Sequence, residues 1–136
     1  MNDAQPLEQQ QEGGLKGTQL QGFTPIPDVT ELQKIDLAVG TGAEVQAGAT
    51  ITANYTGAIA STGKIFESSY DSGQPVTFGL DQVIPGWTQG VPGMKEGGKR
   101  RLIIPAELAY GAQSPSPDIP PNSDLVFDIE LISIKQ

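Results

Sequence analysis

"QVIPGWTQGVPGMKEGGKR" (residues 82–100) carries the single tryptophan of the chain inside a run broken by proline and glycine. Pro85 and Gly86 stand directly before Trp87, and Gly90, Pro92 and Gly93 follow shortly after it. Proline suits the first turn of a helix, where its missing N–H is harmless, and it stops a helix already under way. The spacing therefore predicts a helix of at most two turns over residues 86–91. An indole held on so short a helix is either a core plug or the floor of a cavity, and these residues alone leave both open.

Outward from that helix the texture is that of strands. "ATITANYTGAI" (49–59) places Ile51, Ala53 and Tyr55 on one face and Thr50, Thr52, Asn54 and Thr56 on the other, a period of two. "DLVFDIELISI" (124–134) sets Leu125, Phe127, Ile129 and Leu131 against Asp128 and Glu130, as in a half-buried antiparallel strand. Shorter strands are expected in "ELQKIDLAVGTG" (31–42), "ASTGKIF" (60–66, after a turn at 61–64), "PVTFGL" (75–80) and "KRRLIIP" (99–105). A single helical turn is expected near 106–109, followed by a Pro- and Ser-rich loop, "GAQSPSPDIPPNS" (111–123), long enough to serve function. Several strands and one short helix make an α+β domain whose sheet wraps on that helix.

The chain has 136 residues, enough for one domain and a tail. Residues 1–30 are rich in Gln, Gly, Thr and Pro and sustain neither a 3.6 nor a 2 period, so they are expected to form a flexible N-terminal linker, with the domain in residues 31–136. An anchor through Phe23 is the alternative. The net charge of −8 argues against a nucleic-acid partner, which needs clustered cations to displace counterions. The one basic run, Lys99-Arg100-Arg101, is expected to be a solvated strand end. No apolar run approaches the ~20 residues of a membrane span, and no signal-peptide-like segment occurs. With neither Cys nor His, disulfides, thiolate nucleophiles, Cys-ligated zinc and imidazole bases are all excluded. No metal or cofactor is implied.

The tempting motifs fail on detail. "GTGAEV" (40–45) lacks the third glycine of a dinucleotide fingerprint, and in "GAIASTGKI" (57–65) Ile65 stands where a phosphate loop needs Ser or Thr. "NYT" (54–56) matches a glycosylation sequon but lies in mid-strand. Glu67 and Asp71 straddle a Ser-Ser-Tyr turn and read as solvated. The aromatic set Tyr55, Phe66, Phe78, Trp87, Tyr110 and Phe127 remains, and composition alone makes it the core of a sheet packed on its helix.

Order and spacing add to that reading. "NYTG" (54–57), "KIFESS" (64–69), "QVIPGWTQGVPGMKEGGKRRLIIPAELAYG" (82–111) and "IPPNSDLVFDIEL" (119–131) follow one another as in the FKBP family of peptidyl-prolyl cis-trans isomerases. The resemblance spans residues 32–135, and "MKEGGK", "LAYGA" and "IPPNS" look like bacterial members.

It implies a twisted antiparallel β-sheet wrapped around one short α-helix, with an apolar pocket between them. The pocket would be lined by Tyr55, Phe66, Val76, Phe78, Val83, Ile84, Trp87, Tyr110, Ile119 and Phe127, with Trp87 as its floor. Glu67 stands where the family usually has Asp, near the substrate carbonyl, and Val76 replaces an aromatic. The Tyr110 hydroxyl and the Ile84 backbone N–H would hold the substrate peptide.

The resemblance also implies a monomer acting on proline-containing polypeptides as a folding helper, with tacrolimus or rapamycin as inhibitors. Two rival readings are a module that binds proline segments without fast turnover and a structural β domain with a filled pocket. Linker plus isomerase domain resembles exported bacterial members released from a signal or lipid anchor; a cytoplasmic protein is the alternative.

Overall fold

The computed structural model describes residue 20 and residues 22–135. The strands are β1 (Gln33–Ala38), β2 (Thr50–Ile59), β3 (Ile65–Ser68), β4 (Val76–Gly79), β5 (Lys99–Ile104) and β6 (Leu125–Lys135). A one-turn helix α1 (Ser69–Ser72) follows β3, the helix α2 (Pro85–Gly90) follows β4, and a 3₁₀ turn (Ala106–Leu108) follows β5. No described helix is long and apolar enough to cross a membrane.

Strand β2 is the spine of this antiparallel sheet. It pairs with β6 from Thr50↔Lys135 to Ile59↔Leu125. Its other edge is shared: Thr56, Gly57 and Ala58 face β3, while residues 50–53 face β4. Beyond β6 comes β5, and β1 closes the order β1-β5-β6-β2-β3 as an outer edge.

The period of two in β2 and β6 becomes the inside and outside of this sheet. Ile51, Ala53, Tyr55, Leu125, Phe127, Ile129 and Leu131 join Leu102 and Ile104 of β5 in one buried cluster, closed on the far side by Trp87, Val91 and Met94. Each fully buried Leu or Ile in such a layer contributes roughly 1.5–3 kcal/mol. The expected α+β architecture, a sheet on one short helix, is the one observed.

Helix α2 begins with Pro85, as expected, and lies unusually close to β5. A Cβ at Gly86 would meet Ile104 at 2.6 Å, and one at Gly90 would meet Leu102 at 2.8 Å. Only glycine allows that approach. The helix is also tied at its middle and at its C-terminal end. Thr88 Oγ1 donates to the Leu80 carbonyl at 2.6 Å, and Arg100 Nη1 donates to the carbonyls of Gly90 (2.7 Å) and Pro92 (3.3 Å).

Arg100 is therefore not a solvated strand end, and neither is Arg101; they are 8% and 9% exposed. Arg100 Nε donates to Asp36 at 2.7 Å, and Arg101 grips both carboxylate oxygens of Asp128 at 2.7 and 2.9 Å. Those partners lie on neighbouring strands, so no local sequence pattern announces them. The Ser-Ser-Tyr turn proves to be α1, begun by Ser68, whose Oγ accepts from the Tyr70 N–H, and ended by Gly73 at φ 77°.

The expected linker divides at residue 20. Residues 1–19 and 21 lie outside the described residues. Leu20, Phe23 and Val29 are buried, with Ile26 packed beside them, on the outer face of the sheet against Ala58, Ala60, Ile65, Ile103 and Val126. These four residues recur every third position, a spacing that matches neither a 3.6 nor a 2 period, and the first two flank a turn in which the Phe23 N–H donates to the Leu20 carbonyl at 3.1 Å across Gly22 at φ 69°. The Ile26 N–H donates to the Ala60 carbonyl at 2.8 Å, and the Val29 N–H donates to Asp124 Oδ2 at 2.9 Å. Arg101 sits 5.6 Å from the centroid of the Phe23 ring, a cation–π contact. The packed unit thus starts at least eleven residues before the expected boundary at 31, on the alternative Phe23 anchor.

Phe23→Ala removes the largest side chain of this strap. It is expected to cost about 2 kcal/mol and to lower the melting temperature by roughly 5–10 °C. Thermal unfolding of the variant, followed by far-UV circular dichroism, checks this; an unchanged midpoint would show that the strap adds nothing to stability.

Candidate active site

The cavity is built where the inner face of the sheet meets the N-terminal end of α2. Trp87, one turn into the helix and 3% exposed, forms its floor. Tyr55 reaches in from β2, Glu67 from β3, Phe78 from β4 and Phe127 from β6. Gln82, Val83 and Ile84 come from the segment entering α2, and Tyr110 comes from the loop after the 3₁₀ turn. Together they enclose about 460 Å³. That volume lies within the range of small-ligand sites, about 300–1,000 Å³.

The floor is rigid because its rings lock edge to face. Trp87 meets Tyr55 at a centroid distance of 5.5 Å and an interplanar angle of 85°, Phe127 at 5.4 Å and 85°, and Phe78 at 4.9 Å and 61°. Such contacts contribute about 0.5–1.5 kcal/mol each beyond area burial. Behind them Phe66 stands edge-on to Phe127 at 5.8 Å and 88°. That pair needs Gly57 on the strand beneath, where a Cβ would stand 2.7 Å from Phe127 and 2.8 Å from Phe66. The glycine of "NYTG" is part of the site's construction.

Of the eleven residues expected at the site, eight form the wall: Tyr55, Glu67, Phe78, Val83, Ile84, Trp87, Tyr110 and Phe127. Phe66, Val76 and Ile119 pack against the same core but stand outside that wall. Gln82 was not anticipated. Its side chain lies over Gly79, where a Cβ would meet Oε1 at 3.2 Å, and its place directly before Val83 and Ile84 was the available signal. The reading of a filled pocket is corrected by the open volume.

Polar groups on the wall are few and specific. The Tyr55 hydroxyl hydrogen-bonds to Glu67. Burial, then that hydrogen bond, then the nearby carboxylate charge push the Tyr55 phenol above its ordinary range. Tyr110 is raised too, by burial first and by Glu67 second. Both phenols therefore stay protonated donors through neutral and mildly alkaline pH. The Ile84 carbonyl accepts from the N–H groups of Trp87 (2.9 Å) and Thr88 (3.2 Å). The Ile84 N–H and the Tyr110 hydroxyl have no hydrogen-bond partner among the described residues. The arrangement can seat a compact apolar ring on the indole and offer two donors to the amides flanking it.

Comparison with known proteins gives the same answer from sequence and from shape. Residues 42–132 match the family described as FKBP-type peptidyl-prolyl cis-trans isomerase. The chain is 50% identical over 96 residues to the FKBP-type peptidyl-prolyl cis-trans isomerase FkpA of Escherichia coli K12, covering 71% of this chain and 35% of FkpA. It thus spans about a third of that relative's length. It is 48% identical over 101 residues to an FK506-binding protein of Neisseria meningitidis serogroup A, covering 73% of this chain and 92% of the relative. The crystal structure of Escherichia coli FkpA superposes with a TM-score of 0.70 at 47% identity, covering 76% of this chain and 48% of that one. That of AtFKBP13 gives 0.68 at 44%, covering 76% and 93%. This chain belongs to the FKBP-type peptidyl-prolyl cis-trans isomerase family.

Proposed function

We propose that this chain is a peptidyl-prolyl cis-trans isomerase acting on proline-containing polypeptides, with the site carried by residues 31–136 and the back of the sheet braced by the strap at 20–29. The observation that carries the reading is the aromatic cup on Trp87, with two unpartnered donors, the Ile84 N–H and the Tyr110 hydroxyl, on its wall.

Rotation about an X-Pro bond breaks no covalent bond and needs no proton transfer. Its barrier of about 18–20 kcal/mol comes from amide resonance. A ~10⁴-fold acceleration needs only about 5.4 kcal/mol. The planar amide is more dipolar than the twisted one, so a site that replaces water with Tyr55, Phe78, Trp87 and Phe127 disfavours the planar ground state. Donation from Tyr110 and Ile84 to the flanking carbonyls holds the peptide in a turn that fits the twisted bond better than either planar isomer. Glu67 serves as the acceptor that orients Tyr55. A domain that binds without turnover would share the cup, and rate measurements separate the two.

Five outcomes test this reading. Tacrolimus or rapamycin, whose pipecolinyl ring mimics proline, should quench or shift the fluorescence of Trp87; no spectral change and no heat at high micromolar protein would remove the pocket assignment.

Tyr110→Phe keeps the ring and loses one donor. Folding should survive while kcat/KM falls several-fold, the effect of about one net hydrogen bond. Phe127→Ala should lower activity and also cost about 3–5 kcal/mol of stability, because the ring belongs to both core and wall.

With a peptide carrying a neutral residue before proline, Glu67→Gln should lower the rate less than tenfold; a loss of about 10²-fold or more would indicate general acid–base chemistry.

The pH profile follows from the phenols. Tyr55, Tyr70 and Tyr110 are all raised in the folded protein above an ordinary value of 10.0. The unfolded chain ionises first as pH rises, so the stability these groups contribute is intact below pH 10 and is lost above it. Rate and melting temperature should be level from about pH 6 to 9, and stability should fall above about pH 10. A bell-shaped rate profile centred near neutrality would contradict the proton-free mechanism.

A further inference from the structure

The charges of this protein are unevenly shared among the segments that build the cavity. Eight of its nine wall residues, all but Tyr55, come from residues 65–94 and 102–134. Those two segments contain eight Asp or Glu and no Lys or Arg. Asp124 and Asp128 are occupied by the strap and 3₁₀ amides and by Arg101, and Glu130 accepts from the Tyr70 hydroxyl at 2.8 Å. Glu67, Asp71, Asp81, Glu107 and Asp118 have no ion pair among the described residues. Glu67 is in the wall itself, and Asp81 adjoins Gln82 with Oδ1 3.1 Å from where a Gly79 Cβ would stand.

The cations among the described residues lie elsewhere. Lys34 is on the outer strand β1, Lys99, Arg100 and Arg101 are on β5, Lys135 ends β6, and Lys95 sits in the loop before β5. Lys64 is in the turn between β2 and β3. The two arginines are already neutralised by Asp36 and Asp128. None of these side chains lines the cavity.

We propose that the cavity selects proline segments flanked by Lys or Arg, with Glu67 as the specificity-determining residue. This rests on the isomerase reading above. The cup takes the proline ring whatever its neighbours, and the carboxylates decide which chains it takes most readily. A concave apolar wall carrying charge of one sign focuses its field at the mouth and raises the local concentration of counter-charged ligand. Glu67 acts at contact range, where its charge also reaches Tyr55 and Tyr110. Charges beyond contact range add only what salt leaves unscreened over the ~8 Å Debye length.

The experiment uses three blocked peptides in which one proline is flanked on both sides by Lys, by Gln or by Glu. Their cis-trans exchange is followed by NMR with the full chain, at about 20 mM and about 500 mM NaCl. The expected order of kcat/KM is Lys over Gln over Glu, with about tenfold between Lys and Gln at low salt and a much smaller gap at high salt. Glu67→Gln, checked for folding by Trp87 fluorescence, should narrow the Lys-to-Gln ratio. Equal kcat/KM for the three peptides, or a preference indifferent to salt, overturns the selectivity while leaving the isomerase reading standing. No acceleration of any peptide overturns both.

Discussion

The site depends on how closely one short helix can approach one strand. With Gly86 and Gly90 facing Ile104 and Leu102, the backbone of α2 sits where a Cβ would collide. A helix standing even a methyl group further out would lift Trp87 off the sheet and loosen its contacts with Tyr55 and Phe127. Pro85 fixes where the helix starts. Arg100, anchored by Asp36, reaches the carbonyls at its other end, where a cation is favoured by the helix dipole as well as by hydrogen bonding. A helix of six residues has little intrinsic stability; these external ties hold it.

That rigidity suits the isomerisation proposed for the site. A reaction with no proton to move does not need a tuned base, and it gains from a surface that cannot relax around the planar amide. The floor is made of rings in edge-to-face contact, with Gly57 clearing room for the outermost pair. The two donors are of different kinds: the Ile84 amide is fixed by the helix entry, whereas Tyr110 hangs on a loop. One therefore sets position, and the other can adjust to the incoming peptide.

Much of this was legible in the chain itself. The period of two in β2 and β6 named their buried faces correctly, and the proline–glycine brackets located α2 to within a residue. Composition could not say whether the aromatics made a core or a cup. The family motifs could, and eight of the eleven residues they implied share the cavity. Phe66, Val76 and Ile119 stand outside it because position in a motif does not determine how a side chain turns within a packed layer. The arginines were misread because Asp36 and Asp128 become their neighbours only once the sheet has formed. The strap escaped notice because its spacing of three belongs to neither a helix nor a pleated strand.

Asp124 has the widest reach of any single side chain here. One oxygen accepts the Val29 amide at the end of the strap, and the other accepts the Ala106 amide at the start of the turn that leads to Tyr110. Its own carbonyl takes the Ala60 N–H. Two amides far apart in sequence thus share one protector, so removing that carboxylate would open both to exchange with deuterated solvent. The back of the sheet and the rim of the cavity, on opposite sides of the molecule, are in this sense one cooperative unit.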